Sequence, residues 1–586
     1  MIFPILGCVM RLNLLVIHCI INIVISASAM ILVSSTEAIA NIENLSQEKI
    51  SLIGSTPYAS YLKSRHAENI GDFSSAASFT AQLLSTNPQI KGIIRRGQIL
   101  MISSGRINEA AEFAKIIITN NKSDSLSNIT LAVVAFKNRN FREAINRLDK
   151  IPRDRLQRLI VPLLRGWALA GAGNRDKALD EIKQLGNIEG MGPIIGFHAG
   201  SVSDLYGDYS SAENFYINGI LASGGTPSLK IIEAYVGFLL RSKLYDRANG
   251  VVKRFILENP KQLLIESINI ALENREVPEN LVKVFEHGAA EALSSVASML
   301  KKEKLKNEAL IMVQLAIYLR SNSPSIRFLL GQILEEKKQI ESAIKAYSKI
   351  DTLTPYGWYA RLNLAETYWG LEQTPKALRI LRRMVRERPE RSDAARLMGD
   401  ILRKNERYRG SVIAYDKAIH RANQKIDWRL YYSRGISLER SRKWTRAETD
   451  FLKALELEPD QPYVLNYLGY SWIEQKKNLL RAKKMIEKAV RQRPEDGYIV
   501  DSLGWALYRL GDYSGAVTHL ERAVLLEPGD PVINNHLGDA YWLTNRRLEA
   551  LFQWRRSLSQ QLGGKDKLIT LDKLRGKKLP KPVPIS

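Results

Sequence analysis

The sequence predicts an all-α protein built as a solenoid of helical hairpins, and two periodic features predict it. Alanine returns at intervals of 34 residues, at Ala76, Ala110, Ala144, Ala178 and Ala212 and again at Ala309, Ala343 and Ala377. Prolines that would end a helix share one phase of this repeat: Pro88, Pro260, Pro355, Pro389, Pro459, Pro494 and Pro528. A fixed period between about 20 and 50 residues is typical of stacked repeats. The alanine marks where two helices approach closely, since only a small side chain permits that contact.

The stretch from Gly497 to Asp530 carries the repeat in its most complete form. It contains Leu503 and Gly504 in a first helix, Gly511, Asp512 and Tyr513 in a turn, Ala516, Leu520 and Ala523 in a second helix, and Pro528 at its end. This stretch resembles the tetratricopeptide repeat (TPR) consensus almost throughout. The resemblance implies a right-handed α-α superhelical solenoid of TPR hairpins, in which the surfaces of the stack carry the function.

The same pattern divides most of the chain into fourteen units. They begin at Pro57, Lys91, Ser125, Leu159, Pro193, Leu229, Ala290, Pro324, Trp358, Ser392, Trp428, Pro462, Gly497 and Pro531. About six degenerate units fill 57–262, and about eight clearer units fill 290–564. The intervening 263–289 is too short for a full unit, which predicts a truncated or irregular junction between two sub-arrays. A linker or cap is expected at 41–56, and a capping helix followed by a basic tail at 565–586.

Residues 1–40 read as a targeting segment. The apolar run from Leu12 to Val33 is followed by Ala38-Ile39-Ala40, a small-x-small cleavage pattern. Translation from Met10 would place Arg11 at the start of a signal peptide, so Met10 is an alternative start. The sequence therefore predicts export to the periplasm or the outer membrane. An uncleaved inner-membrane anchor is the alternative, because about 20 apolar residues can span a bilayer. Cleavage would also remove both cysteines, Cys8 and Cys19.

The net charge of +24 predicts a basic surface that attracts anionic partners. Four arginines without interleaved acids form one predicted helical stripe: Arg379, Arg382, Arg383 and Arg386. This stripe is either a solvated face or a site for anionic envelope lipid or polysaccharide. No nucleic-acid motif is present, so nucleic acid is not an expected partner.

The sharper predicted site lies on the first helices of the C-terminal units. In the TPR family the second, fifth, ninth and twelfth positions of each repeat face the concave groove. Carried over to this chain, the resemblance implies an aromatic set of Tyr359, Trp369, Tyr432, Tyr463, Tyr470, Tyr498, Trp505, Tyr508 and Trp542. Polar groups stand among them, at Arg396, Asp400, Arg403, Asn466, Asp501, Asn535 and Asp539. The matching N-terminal positions are mostly aliphatic or basic, as at Ile99, Val133, Leu163 and Phe197.

Two interpretations of the aromatic set stay open at this point. Aromatic side chains at helical spacing often serve packing, the role expected of Trp428, Trp444, Trp554, Tyr408 and Tyr513. Flat rings beside amides and charges also suit an extended peptide or an amphipathic helix of a partner. The family's carboxylate clamp for a chain terminus is not reproduced.

An enzymatic activity is not expected from this sequence. It has no His-Glu-x-x-His pair, and Gly563-Gly564-Lys565 lacks the spacing of a phosphate-binding loop. No cofactor and no metal site are predicted. The C-terminal runs from Tyr463 to Trp472, Pro494 to Leu510 and Val532 to Trp542 resemble exported envelope TPR proteins of Gram-negative bacteria. The sequence therefore predicts a non-catalytic scaffold that binds one or more envelope proteins, with self-association left open.

Overall fold

The computed structural model describes residues 56–86, 91–154, 156–259, 263–276, 280–422 and 426–582. Within these residues the ordered elements are helices, and no strand occurs. The predicted targeting segment 1–40, residues 41–55 of the predicted linker, Pro88 and Pro260 lie outside the described residues. No helix in the described part of the chain is both long and apolar enough to cross a membrane.

The chain divides into two compact units, one ending at Ala360 and the other beginning at Arg361. The helices up to this boundary are α1 (Pro57–Asn69), α2 (Phe73–Thr86), α3 (Lys91–Ser103), α4 (Ile107–Asn120), α5 (Ser125–Lys137), α6 (Phe141–Leu148), α7 (Gln157–Gly171), α8 (Arg175–Lys183), α9 (Gly192–Leu205), α10 (Tyr209–Leu221), α11 (Leu229–Arg241), α12 (Tyr245–Glu258), α13 (Glu266–Glu273), α14 (Phe285–Lys302), α15 (Lys306–Leu319), α16 (Pro324–Glu336), α17 (Ile340–Ser348) and α18 (Pro355–Gly370), the last of which contains the boundary. Short 3-10 turns occupy Gln184–Asn187 and Leu263–Ile265.

The second unit continues the hairpins to the C-terminal end. Its helices are α19 (Thr374–Glu387), α20 (Asp393–Lys404), α21 (Tyr408–Arg421), α22 (Trp428–Arg440), α23 (Trp444–Leu457), α24 (Pro462–Glu474), α25 (Leu479–Gln492), α26 (Gly497–Arg509), α27 (Tyr513–Leu526), α28 (Pro531–Leu543), α29 (Arg547–Ser559) and α30 (Gly564–Leu574). Helix α30 is the predicted capping helix, and beyond it Leu579 still packs against the hydrophobic core.

The recurring alanine is the contact point of each hairpin, as the period predicts. All eight alanines named above are fully buried. Ser411 replaces the alanine in α21 and is equally buried, because its hydroxyl donates to the Gly399 carbonyl at 3.0 Å and lies 3.0 Å from the Ser437 hydroxyl. A buried hydroxyl is tolerated where it is hydrogen-bonded in this way.

Helix ends follow local chemistry. Asp496, Asp512 and Asp530 cap the helices that follow them by accepting backbone N–H groups, which the first turn of a helix leaves unpaired. Pro389, Pro459, Pro494 and Pro528 each fall two residues after a helix end, as predicted.

Pro355 is the exception among the described prolines. It opens α18 instead of ending a helix, so this unit begins three residues before the predicted Trp358. The first helical position tolerates proline because its N–H has no helical partner in any case.

The core of the first unit is not that of a simple solenoid, in which each repeat contacts only its neighbours. The hairpin α14–α15 packs back onto the earlier helices α3, α5, α7 and α9. Gly288 of α14 rests on the ring of Trp167, so closely that a Cβ there would lie 2.2 Å from it. Farther along, Gln314 donates to the Ser103 carbonyl at 2.9 Å and the Tyr318 hydroxyl to Asn108 at 2.6 Å.

This packing explains the aliphatic inner positions of the N-terminal repeats. Val133, Leu163 and Phe197 are buried, and Ile99 is half-buried. Ion pairs between Arg139 and Glu286 (2.7 Å) and between Lys230 and Glu291 (2.8 Å) fix the hairpin at its start. The N-terminal array is therefore filled by its own chain.

The irregular segment predicted at 263–289 contains a 3-10 turn and the single short helix α13. Helix α14 then begins at Phe285, before the predicted Ala290, and runs for 18 residues. This segment lies inside the first compact unit, whereas the boundary between the units falls at Ala360.

Candidate functional site

The candidate site of the second unit is the inner face formed by the first helices of its hairpins, α20, α22, α24, α26 and α28. Contacts between these first helices are more extensive than those between successive second helices. They join α20 to α22, α24 to α26, and α26 to α28. Closer spacing on one side of a stack places that side inward. The first helices consequently line the inner face, as in the family geometry.

The sixteen residues of the predicted groove differ in accessibility. Arg396, Tyr463 and Tyr498 are exposed. Nine are half-buried, namely Tyr359, Trp369, Asp400, Arg403, Tyr432, Asn466, Tyr470, Trp505 and Trp542. Asp501, Tyr508, Asn535 and Asp539 are buried. Tyr359 lies at the end of the first unit, so it is not part of the inner face of the second.

Trp505 is the centre of an ordered aromatic stack. Its ring lies parallel to those of Tyr508, at 4.7 Å between centroids, and His536, at 4.0 Å. The indole N–H donates to Glu474 at 2.7 Å, and Arg509 donates to the same carboxylate at 2.8 Å. Successive first helices are thus joined by side-chain contacts along the inner face.

His536 is ion-paired within this stack. Its Nδ1 lies 3.0 Å from a carboxylate oxygen of Asp501. Burial alone would lower the pKa of His536, but the Asp501 carboxylate outweighs it and leaves that pKa raised. The charged imidazolium is therefore favoured by its partner, and Asp501 is engaged inside the protein.

The capping helix α30 engages two more of the predicted groove residues. Lys573 donates to Asp539 at 2.5 Å and to Asn535 at 3.2 Å, and the Thr570 hydroxyl donates to Asn535 at 3.1 Å. Lys573 is buried in this contact. Asp539 also accepts from the Trp554 indole at 2.9 Å.

These contacts correct part of the predicted groove. Asp501, Tyr508, Asn535 and Asp539 stabilise the array and its cap and do not face solvent. They occupy groove positions, but the next helix along the chain, or the cap itself, covers them.

Several of the accessible aromatic rings have a cation beside them. Lys404 lies 4.8 Å from the centre of the Trp369 ring, Arg547 4.8 Å from Trp542, and Arg493 5.8 Å from Tyr463. Cations at this distance are attracted by the electrons of the ring face. The inner face therefore presents aromatic surface together with positive charge.

The middle of the inner face is less accessible. Burial raises the pKa of Tyr432 to about 12 and also raises that of Tyr470. Arg403 donates to the Tyr415 hydroxyl at 3.3 Å, which in turn donates to Asp400 at 2.6 Å. Arg396 pairs only loosely with Asp400, at 3.4 Å.

Four of the five residues expected to serve packing contact the hydrophobic core. Trp554 is fully buried, and Trp428, Trp444 and Tyr513 pack against the same core. Tyr408 is half-buried.

The predicted basic stripe is exposed on the second helix α19. Arg379, Arg382 and Arg386 have no ion pair within the described part of the chain, whereas Arg383 pairs with Glu387 at 2.6 Å. The stripe therefore presents three uncompensated positive charges.

The sequence interpretation missed Glu474, His536 and Lys573. Each is a polar residue one position away from the family's groove set or outside the repeats altogether. The spacing of 35 residues between Glu474 and Arg509, close to one repeat, was the available signal. No group of three potential metal ligands occurs among the residues that the structure describes.

Comparison with known proteins identifies the repeat. Family models described as tetratricopeptide repeat match residues 334–401, 432–497 and 502–558. A TPR repeat-containing protein of Pseudomonas aeruginosa is 25% identical over 213 residues, which cover 36% of this chain. The match spans only 35% of that relative's length.

Two solved helical structures also align with the chain. The APC/C hetero-tetramer Cut9-Hcn1 aligns over 90% of this chain and 98% of its own, at 14% identity and a TM-score of 0.36. Yeast Tom70 aligns over 76% of this chain and 94% of its own, at 14% identity and a TM-score of 0.31. The helical hairpins, the buried alanine at each contact and the family matches lead to one assignment. Residues 334–401, 432–497 and 502–558 are tetratricopeptide repeats, a type of helical repeat that generally serves as a scaffold for protein–protein interaction.

Proposed function

We propose that this protein is a non-catalytic adaptor of the bacterial cell envelope, which binds an extended peptide or an amphipathic helix of a partner on the inner face of its second unit. The observation that carries the proposal is the pair of exposed tyrosines on adjacent first helices. Tyr463 on α24 is 40% exposed, and Tyr498 on α26 is 55% exposed. Exposed aromatic rings on an inner face are typical of hot spots in protein recognition.

Neighbouring polar groups suit a peptide. Asn466 follows Tyr463 by one helical turn on α24 and is half-buried, so part of its polar side chain is available beside the Tyr463 ring. Arg493, next to the Tyr463 ring, adds a charge that favours acidic side chains in the partner.

The envelope location rests on the sequence. The apolar run Leu12 to Val33 and the Ala38-Ile39-Ala40 pattern support export. Sequencing the N-terminus of the protein purified from cells tests this step, and a chain that begins at Asn41 is the expected result. A retained apolar segment would favour the membrane-anchored alternative.

Binding on the inner face is tested with a photo-crosslinking amino acid placed at 463 or at 498 in the full-length protein in intact cells. We expect a discrete partner adduct from both positions. Phe552 is the matched control, because it is a 61% exposed aromatic residue on the second helix α29. Equal adducts from 552 would contradict the inner face as the binding site.

The partner identified in this way is then titrated against Tyr463→Ala/Tyr498→Ala. Truncating an aromatic hot spot costs about 2 kcal/mol, or roughly thirtyfold in Kd, so the pair should abolish measurable binding. Phe552→Ala should bind normally, and both variants should retain helicity because these side chains are exposed.

A second candidate function uses the basic stripe. Arg379, Arg382 and Arg386 carry positive charges without partners and would bind the anionic groups of envelope lipid or polysaccharide. Replacing the three by glutamine should reduce binding to phosphatidylglycerol vesicles or to an anionic polysaccharide, and salt should weaken the binding of the unmodified protein steeply. The exposed Arg409 and Arg555 provide a control variant on other second helices.

A further inference from the structure

A cavity of about 320 Å³ lies inside the first unit, far in sequence from the inner face discussed above. Helices α9, α10 and α11 form one side of it, and α13 with residues 280–282 and the starts of α16 and α18 form the rest. Its apolar wall includes Ala234, Ile268, Ala271 and Val282. This volume falls at the lower end of the range of small-ligand sites in proteins.

One carboxylate in the cavity has no partner. Glu233 on α11 is half-buried and forms no hydrogen bond or ion pair with any described residue. A buried charge without a partner is unusual, because removing it from water is costly. Glu233 therefore has an unmet requirement for a positive charge or a hydrogen-bond donor.

The other charges near Glu233 are already paired. Arg241 forms an ion pair with Asp204 at 2.5 Å. Lys230 and Arg320 both pair with Glu291, at 2.8 Å and 3.2 Å. An anionic ligand would have to compete with these carboxylates and approach Glu233, so the cavity is unsuited to an anion.

The lack of a partner for the Glu233 carboxylate affects its pKa. Burial, and then the nearby charge of Glu291, raise the pKa of Glu233 to about 8, while Lys230 acts in the opposite direction. The charged and titratable groups around it are Lys230 and Arg241 on its own helix, Asp204 on α9, Tyr216 on α10, Glu291 on α14, Arg320 before α16 and Tyr356 on α18.

Two aromatic rings, those of Tyr216 and Tyr356, also line the cavity. Aromatic faces attract cations and pack well against methylene groups. We propose that this cavity binds a primary ammonium group on an aliphatic stem, with Glu233 as its counter-ion and Tyr216 and Tyr356 beside the stem. A lysine side chain of a peptide and a free alkyl diamine share this chemistry.

The site is tested by isothermal titration calorimetry on the full chain at pH 8.5. The probes are Nα-acetyl-lysine methylamide, which keeps a free ε-amine, and 1,4-diaminobutane. Nα-acetyl-norleucine methylamide is the uncharged control. Saturable binding of either amine, without binding of the norleucine compound, is the expected result. Binding of the lysine probe alone would identify a peptide side chain as the source, and binding of the diamine alone would identify a free amine.

Glu233→Gln keeps the shape of the side chain and should weaken amine binding at least tenfold. Asp246→Asn is the matched control, because Asp246 is an exposed carboxylate on the adjacent helix α12. Both variants should melt with one cooperative transition. Unchanged affinity in Glu233→Gln, equal binding of the norleucine compound, or no saturable heat from either amine would overturn the proposal.

The pH dependence supplies a second measurement that needs no variant. A cation requires the ionised carboxylate, so amine affinity should rise about tenfold per unit as the pH increases from 6 to 8. Below pH 8 each binding event should also release close to one proton, detected as a dependence of the heat on the buffer. Affinity that is independent of pH over this range would contradict the role of Glu233.

Discussion

The two units are built from the same hairpin, yet their inner faces are occupied differently. In the first unit α14 and α15 lie against α3, α5, α7 and α9, and the inner positions Val133 and Leu163 are buried. In the second unit Tyr463 and Tyr498 remain exposed on the corresponding helices, and α30 covers the C-terminal end. Repeat architecture alone does not determine whether a groove is available to a partner.

The composition of the inner face follows from its occupant. Aliphatic side chains in the first unit pack permanently against the chain's own hairpin, where close packing and the exclusion of water matter most. Aromatic rings with adjacent cations in the second unit can be both solvated and buried, which suits a partner that binds and leaves. This difference between the units is the basis for proposing the second unit as the one that binds partners.

The largest effect should come from removing the buried cation that holds the cap on the second unit. In Lys573→Ala the buried Asp539 loses its ion pair, and such losses cost about 3 kcal/mol in the free energy of unfolding. Urea denaturation of the purified variant measures this change. Lys567→Ala, an exposed lysine on the same helix, should change stability by less than about 0.5 kcal/mol. Equal effects of the two substitutions would show that α30 is not anchored through Lys573.

A somewhat smaller effect should follow from disturbing the filled groove of the first unit. A methyl group at Gly288 would collide with the Trp167 ring, so Gly288→Ala should destabilise the first unit by about 2 kcal/mol. Hydrogen exchange should accelerate in α5 and α7 and stay unchanged in α26.

The control for this substitution is Gly250→Ala on α12, where a Cβ would meet no atom within 4 Å. It should stabilise the protein by about 0.5 kcal/mol, because alanine favours a helix more than glycine does. If Gly288→Ala were equally harmless, α14 would not be packed into the array.

The third effect is of similar size but is confined to high pH, and it concerns Glu233. Its pKa of about 8 in the folded protein exceeds the ordinary value of 4.5, so the folded state binds this proton more tightly than the unfolded state. The stabilisation is complete below pH 4.5 and is lost as the pH rises to about 8. Glu233→Gln should therefore be more stable than the unmodified protein at pH 9, by about 2 kcal/mol after allowing for partial exposure, and of similar stability at pH 4.

Urea denaturation at pH 4 and pH 9 measures this difference. A constant difference between the two proteins across this range would place Glu233 in water and remove the basis for the ammonium site.

Much of the fold was predictable because each repeat carries the same residue types at the same positions. The alanine contacts, the turns and the capping helix follow from side-chain size, proline placement and charge. Pro355 was misassigned, since proline suits both the residues after one helix and the first turn of the next.

The candidate site was predictable only in part. Position within the repeat identified Tyr463 and Tyr498, but it could not show that Lys573 would cover Asn535 and Asp539. The return of α14 onto Trp167 was also missed, because contacts across more than a hundred residues leave no periodic signal in one sequence.

The filled groove has a consequence for how the chain acquires its structure. Gln314 meets Ser103 across 211 residues and Tyr318 meets Asn108 across 210. Contacts this distant in sequence slow folding, and the hairpins that begin with α3, α5, α7 and α9 expose an apolar lining until synthesis has passed residue 319. During that interval the nascent array has an open apolar groove, which α14 and α15 of the same chain later fill. Sheltering it from aggregation then becomes the task of whatever holds the nascent chain.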